Sequence, residues 1–219
     1  MNRYKTLNNL KFALDNPNEP MINQFPVGLI IILSAPSGAG KSTIAKELIN
    51  RHPEINFSVS MTSREKRDTE EEGKSYYFVT REVFEKSIRD NAFAEWAMVH
   101  GHYYGTPKRN LDECQRVGKD ILLDIDVQGG ENIRKLYSRA ISIFILPPSF
   151  DILVRRLRGR MTEKEDILNI RTNNAKKEIL ELPKYDYLVV NDSIDMATST
   201  VESIIKAERC RINRFTFSI

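Results

Sequence analysis

The stretch that decides the fold of this chain is Leu29-Ile30-Ile31-Ile32-Leu33-Ser34-Ala35-Pro36-Ser37-Gly38-Ala39-Gly40-Lys41-Ser42. Its first five residues are large and apolar, which predicts a buried strand. The glycine-containing segment behind them, residues 35–42, has the form of a phosphate-binding loop that leads into a helix. We call it the phosphate loop. The alternative is an ordinary glycine-rich turn between a strand and a helix.

Each residue type in the phosphate loop has a physical task. Glycines let the backbone curl so that successive N–H groups point at a phosphate, Lys41 reaches the β- and γ-phosphates, and the Ser42 hydroxyl sits on Mg²⁺. Ala35 stands where the general pattern has glycine, and we interpret it as a tolerated variant. The loop therefore predicts a protein that uses a nucleoside triphosphate.

The composition limits the class of protein. The chain has 219 residues with 33 basic and 30 acidic side chains, which fits one ordinary domain and is too balanced to indicate a nucleic-acid binder. Its longest apolar run is far shorter than a membrane span, and no secretory signal is visible. Cys114 and Cys210 lie far apart and are expected to be reduced thiols. We expect a soluble cytoplasmic enzyme without nucleic-acid or membrane partners.

Strand and helix patterns alternate along the chain after a polar, breaker-rich start. Strands are predicted at residues 29–34, 93–100, 121–126, 140–146 and 187–190, and helices at 41–51, 81–90, 150–157 and 195–211. Two more helices are predicted from their caps, one opened by Thr106-Pro107 and one by a Thr162/Glu165 capping box. Strands joined by helical crossovers predict a parallel sheet covered on both faces, with a ligand at the carboxyl ends of its strands.

A second group of polar residues suits a phosphate dianion. Arg64 and Arg67 are three residues apart, and Tyr76 and Tyr104 add phenolic donors. Two guanidinium groups can hold a phosphate through forked hydrogen bonds. The alternative is a basic surface loop.

Several longer motifs accompany these residues: Ser60-Met61-Thr62-Ser63-Arg64-Glu65-Lys66-Arg67, Phe93-Ala94-Glu95-Trp96-Ala97, Tyr103-Tyr104-Gly105-Thr106, Asp124-Ile125-Asp126-Val127-Gln128-Gly129 and Arg156-Leu157-Arg158-Gly159-Arg160. In this order and spacing the chain closely resembles guanylate kinases, from about Leu29 to Arg209. The resemblance implies an α/β fold: a parallel-sheet P-loop kinase core flanked by helices, a small mixed-β GMP-binding lobe and a helical lid. It also implies transfer of the γ-phosphoryl group of ATP to GMP.

The same resemblance suggests how the chain is divided. The kinase-like domain would cover residues 27–212, with the core at 27–57, 107–157 and 183–212, the GMP-binding lobe at 58–106 and the lid at 158–182. Residues 1–26 would be an N-terminal extension and residues 213–219 a C-terminal tail.

Site residues carry over position by position. The resemblance places the GMP phosphate on Arg64, Arg67, Tyr76 and Tyr104, and the guanine near Ser60, Glu95, Thr106 and Asp126. A carboxylate such as Glu95 can accept hydrogen bonds from both N1–H and the 2-amino group of guanine, whereas adenine has neither donor. The alternative for Glu95 is a surface carboxylate on a strand.

ATP is placed on Ala35, Pro36, Ser37, Gly38, Ala39, Gly40, Lys41, Ser42, Thr43 and Asn191, and Mg²⁺ on Ser42 and Asp124. The resemblance implies that the catalytic residues are Lys41, Arg156, Arg160 and Arg171, since the three arginines match those with which this family closes on the phosphates. Such groups stabilise charge on the transferring phosphoryl group. The alternatives are a solvated basic helix face for the arginines and a cap for Asp124. Met161 stands where this family commonly has glycine.

Two other functions compete with this hypothesis. One is a catalytically silent, guanylate-kinase-like module that binds proteins, against which Lys41, Asp124 and the lid arginines argue. The other is a kinase of the same fold acting on another phosphorylated substrate, against which Glu95 and Thr106 argue. The expected partners are ATP and GMP or dGMP, with a possible homo-oligomer.

Overall fold

The computed structural model describes residues 28–99, 101–159 and 165–214, which form two sheets and seven α-helices. The strands are β1 (Ile30–Ser34), β2 (Asn56–Phe57), β3 (Met61–Thr62), β4 (Tyr77–Phe78), β5 (Phe93–Val99), β6 (His102–Pro107), β7 (Ile121–Asp124), β8 (Ile141–Leu146) and β9 (Tyr187–Val190). The helices are α1 (Lys41–Arg51), α2 (Arg81–Arg89), α3 (Lys108–Arg116), α4 (Val127–Leu136), α5 (Phe150–Gly159), α6 (Glu165–Ile179) and α7 (Ile194–Arg209).

The larger sheet is parallel throughout and has the strand order β2-β7-β1-β8-β9. Side chains of β1 alternate between its two faces, as the period of a strand requires. Ile31 and Leu33 pack against a cluster from α1 and α7, and Ile30 and Ile32 against a cluster from α3 and α4. Every residue of β1 is buried. The predicted parallel sheet with both faces covered is confirmed.

The smaller sheet is mixed and has the order β4-β3-β6-β5. Its β3–β4 pair is parallel, while β3–β6 and β5–β6 are antiparallel. Helix α2 covers it through Phe84, whose ring stacks on Phe93 at 4.4 Å and on Tyr103 at 5.1 Å between ring centroids. The chain leaves the larger sheet after β2 and rejoins it at β7, so the second sheet is one continuous insertion between these two strands.

Two local predictions were wrong. Thr106 is not a helix cap: it pairs with Glu95 inside the second sheet, and Pro107 is the N-cap of α3. The strand predicted at 121–126 ends at Asp124, because the Asp126 side chain accepts a hydrogen bond from Gly129 N at 2.7 Å and caps α4. Asp126 therefore belongs to the start of α4 and not to β7. Helix α4 is not among the helices predicted from the sequence.

Some expectations fall on residues outside the described ranges. They are the N-terminal extension (1–26), most of the C-terminal tail (215–219), Arg160, Met161 and the Thr162 cap. The predicted domain end at 212 falls inside a short 3₁₀ helix, Ile212–Arg214, whose Arg214 is buried. Among the described helices, none has the length and apolarity needed to cross a membrane.

Candidate active site

The phosphate loop lies at the carboxyl end of β1 and takes its shape from two glycines. Gly38 and Gly40 have φ values of 87° and 92°, which side chains with a Cβ rarely adopt. Among the described residues, Asn91 is the single non-glycine with positive φ, so Ala35 stays outside the left-handed region. Alanine at position 35 therefore brings no left-handed backbone strain, which is the physical reason why it is tolerated.

The N-terminus of α1 faces the loop. Gly40 is its N-cap residue and has no side chain that could accept from the first N–H groups of the helix. Those N–H groups and the positive end of the helix dipole favour an anion at this position.

Lys41 lies between the ends of two neighbouring strands. Leu33 of β1 pairs with Asp124 of β7, so both strands end at the same edge of the sheet. Lys41 Nζ lies 2.8 Å from Asp124 Oδ1 and donates a hydrogen bond to the Ile125 carbonyl at 2.6 Å. These contacts hold the ammonium group at the mouth of the phosphate loop.

The residues predicted to hold Mg²⁺ have suitable chemistry. Ser42 and Asp124 line one cavity and offer a hydroxyl and a carboxylate oxygen, the donor type that Mg²⁺ prefers. No cluster of three or more His, Cys, Asp or Glu side chains that could hold a metal occurs within residues 28–99, 101–159 and 165–214. One carboxylate with water and phosphate oxygens is a usual magnesium environment, so the donor set fits this ion.

A buried carboxylate, Glu95, lines the same cavity. Glu95 is 9 % exposed and accepts a hydrogen bond from Thr106 Oγ1 at 2.5 Å, across the β5–β6 pair. Burial raises the pKa of Glu95 to about 7; the Thr106 hydroxyl lowers it, and the nearby Asp126 carboxylate adds to the rise. Thr106 donates to one oxygen of this carboxylate. A ligand that brings further hydrogen-bond donors would stabilise the ionised form.

Helix α4 leaves room for this carboxylate only because it carries a glycine. A Cβ on Gly129 would lie 2.8 Å from Glu95 Oε2. The Gly129 N–H donates to Asp126, so one short segment both caps the helix and faces Glu95. Asp126 thus caps α4 and lines the cavity.

Three of the four residues predicted to hold the GMP phosphate lie together. Arg64 Nε donates to the Tyr104 hydroxyl at 3.2 Å, and the Arg64 guanidinium lies 5.6 Å from the centroid of the Tyr76 ring. The rings of Tyr76 and Tyr104 pack edge to face with centroids 5.8 Å apart. Arg67 is exposed, and its backbone N–H donates to Glu70 Oε2.

Residues from the predicted phosphate-loop site and from the predicted GMP site line one cavity of about 250 Å³, although Arg64, Arg67 and Thr106 are not among them. It is lined by Lys41, Ser42, Ser60, Tyr76, Glu95, Ala97, Val99, Tyr104, Gly105, Asp124, Ile125 and Asp126. A larger cavity of about 470 Å³ lies between β2 and α3, beside Cys114, and contains none of the predicted site residues. The smaller cavity is the candidate site because complementary chemical groups converge there, whereas volume alone is weaker evidence.

The remaining predicted residues lie behind the phosphate loop or apart from it. Asn191 is 1 % exposed and donates from Nδ2 to the Ala39 carbonyl at 2.7 Å. Arg156 donates to the carbonyls of Ala39 and Asn191 at 3.5 and 3.3 Å. Arg171 is half-buried on α6. Thr43 is exposed in the first turn of α1, and Arg160 lies outside the described residues.

Sequence reasoning missed three residues of this site. Glu70 accepts hydrogen bonds from the two terminal guanidinium nitrogens of Arg64, at 2.7 and 3.0 Å. Glu178 accepts from Ser37 N at 3.2 Å, and Gly129 faces Glu95. Glu70 had a signal nearby, as an acidic residue three positions after Arg67, and Gly129 ends the motif that begins at Asp124, whereas Glu178 had none.

Comparison with known proteins shows the family. The family model described as guanylate kinase matches residues 28–208. Among curated relatives, the guanylate kinase of Clostridium tetani is 48 % identical over 192 residues, covering 88 % of this chain and 92 % of the relative. That of Thermotoga maritima is 43 % identical over 187 residues, covering 85 % of this chain and 90 % of the relative.

A solved structure agrees as well. The crystal structure of guanylate kinase from Anaplasma phagocytophilum superposes with a TM-score of 0.75 at 35 % identity. The match covers 90 % of this chain and 93 % of that one. Fold and sequence are therefore similar to those of a solved guanylate kinase over nearly the whole described structure.

Proposed function

This chain belongs to the guanylate kinase family and is a nucleoside monophosphate kinase that transfers a phosphoryl group from ATP to GMP; on that premise we propose how its residues divide the work. The observation that carries the proposal is that Lys41 and the buried Glu95 line the same cavity. Between these two groups a nucleoside monophosphate would lie with its phosphate directed at the phosphate loop.

Glu95 selects guanine. Its carboxylate already accepts from Thr106, and a guanine would add N1–H and the 2-amino group as two further donors. Adenine would bring neither, leaving a buried carboxylate without these partners. A site built around such donors rejects an analogue that lacks them by about 10⁴–10⁵. Ser60 and Asp126, which line the same cavity, would complete the guanine contacts.

Arg64, Tyr76 and Tyr104 hold the phosphate of GMP or dGMP, with Arg67 joining them from its exposed position. The pairing of Arg64 with Glu70 supports this role, because a guanidinium fixed by one carboxylate needs little reorganisation to meet an anion. Hydrogen bonds to Glu70 also raise the pKa of Arg64, so the group stays charged.

The phosphate loop, together with Thr43, holds the triphosphate of ATP through its N–H groups, and Lys41 neutralises charge on the transferring phosphoryl group. Ser42 and Asp124 would hold Mg²⁺, which supplies positive charge to the phosphate oxygens when bound. Asn191 and Arg156 position the loop from behind. Arg156, Arg160 and Arg171 stabilise the charge that grows during transfer, which requires alignment rather than a strong base.

The remaining proposals concern organisation. We keep the core at residues 27–57, 107–157 and 183–212, the GMP-binding lobe at 58–106 and the lid at 158–182. A cytoplasmic location, the lack of nucleic-acid and membrane partners, and a homo-oligomer remain predictions from the sequence.

The test is a coupled assay of ADP release with ATP and Mg²⁺ across GMP, dGMP, AMP, CMP and UMP. We expect turnover with GMP and little or none with AMP, CMP or UMP. Comparable turnover of AMP would overturn the role given to Glu95, and turnover with none of the five would overturn the assignment as a monophosphate kinase.

A further inference from the structure

Three successive residues of the phosphate loop are each held by a different element. The Ser37 N–H donates to Glu178 Oε2 of α6 at 3.2 Å. Gly38 packs so closely on α5 that an added Cβ would lie 3.0 Å from Leu157 Cδ2. The Ala39 carbonyl accepts from Asn191, which follows β9.

Ser37 has less support from the core than the loop residues on either side of it. Residues 34–36, 38 and 39 are buried, whereas Ser37 is exposed, so core packing restrains it less. A phosphate loop binds through the directions of its N–H groups, and those directions depend on the orientation of each peptide plane. The hydrogen bond to Glu178 fixes the peptide that precedes Ser37.

Glu178 lies at the anchored end of its helix. One turn earlier, Ala175 is completely buried in a cluster with Leu153 and Leu157 of α5. Residues three apart share a helix face, so this packing directs Glu178 toward the loop. Burial raises the pKa of Glu178, while the Ser37 N–H and the charge of Lys41 lower it, which places the carboxylate within electrostatic reach of Lys41.

We propose that Glu178 is a positioning residue of the ATP site, whose carboxylate holds the phosphate loop at Ser37 in the orientation that binds phosphate. The proposal rests on the function given above, because it needs the loop to bind ATP. It adds an acidic residue from α6 to a site that must accept a polyanion. Since a carboxylate repels phosphate, an electrostatic role alone would weaken ATP binding, and its useful contribution is the hydrogen bond that it accepts.

Two variants separate the hydrogen bond from the charge. Glu178→Ala removes both, whereas Glu178→Gln keeps an oxygen that can accept from Ser37. Glu181→Ala is the matched control, because Glu181 is close in sequence, carries the same charge and pairs with Lys184 at 2.5 Å. Steady-state kinetics would give kcat and the KM for ATP and for GMP; calorimetry would give the Kd of ADP, and thermal unfolding would give Tm.

We expect Glu178→Ala to raise the KM for ATP and the Kd of ADP about tenfold, the low end for a hydrogen bond to a charged group. The KM for GMP and the Tm should stay at the values of Glu181→Ala. Glu178→Gln should restore the KM for ATP to within about threefold of the wild type, since a neutral acceptor gives a weaker bond than a charged one.

Three results would overturn the proposal. They are an unchanged KM for ATP in Glu178→Ala, an equal rise of both KM values together with a lower Tm, and a Glu178→Gln variant as impaired as the alanine. Wild-type turnover is measured in the same assay. Its absence would instead count against the proposed function.

Discussion

The affinity for GMP should fall as the pH drops below about 7, because the group that we propose reads guanine is a carboxyl whose burial raises its pKa to about 7. Only the ionised form of Glu95 can accept both N1–H and the 2-amino group. The affinity for GMP is therefore high above this pKa and is lost as the pH falls through it. A group that must be protonated to bind would give the opposite pH dependence.

The size of the effect follows from the fraction of Glu95 that is ionised. With a pKa of about 7, roughly one carboxyl in eleven is ionised at pH 6 and ten in eleven at pH 8. The value of kcat/KM for GMP reports groups of the free enzyme, so it should rise about tenfold between these two pH values. An ordinary exposed glutamate, with a pKa near 4.3, would give a flat profile over this range.

The assay is kcat/KM for GMP at saturating ATP between pH 5.5 and 8.5, with Glu95→Gln as the matched control. The second pKa of a phosphate monoester lies near 6 and affects both proteins equally, so the difference between the profiles isolates Glu95. The variant should lose about 10- to 100-fold in kcat/KM for GMP at pH 8, the worth of one hydrogen-bonded charged group. Its KM for ATP should change little.

Two results would refute this reasoning. One is a wild-type kcat/KM for GMP that stays constant from pH 6 to pH 8. The other is a Glu95→Gln profile parallel to that of the wild type, which would assign the pH dependence to another group.

Three further predictions test other parts of the structure. Lys41→Ala should lower kcat by about 10²–10³, the scale for one preorganised charge-stabilising group, and near-normal turnover in the coupled assay would exclude that role. Arg64→Ala should raise the KM for GMP about 10- to 100-fold with little change in kcat, and an unchanged KM would move the phosphate site elsewhere. Glu208→Ala should lower the free energy of unfolding by about 3–5 kcal/mol in urea titrations, because Glu208 is 1 % exposed and lies 2.6 Å from buried Arg214, which would lose its carboxylate partner. Glu113→Ala, which breaks an exposed pair with Arg116, should change stability little or not at all, and equal losses in the two variants would contradict the argument.

Local patterns were sufficient for most elements and for the phosphate loop. The Tyr187–Val190 strand and the Lys41–Arg51 helix have the predicted bounds, because an apolar run and a glycine-lysine-serine helix start are signals within a few residues. The prediction was wrong where the local sequence was compatible with both a strand and a helix start. Thr106-Pro107 has the composition of a helix start, yet pairing with β5 holds Thr106 in a strand beside Glu95.

The sequence by itself determined that this chain has a buried strand, a phosphate loop and alternating strands and helices, and its motifs placed it among guanylate kinases. Only the tertiary structure decided what those residues touch. Ser37 and Glu178 are 141 residues apart, and no periodicity, cap or turn links them; the packing of α6 on α5 brings them together. Gly129 likewise leaves room for the Glu95 carboxylate only because α4 packs against β5 at this point. Hydrophobic patterning fixes which face of an element is buried, whereas the neighbours of a polar atom depend on how separate elements pack.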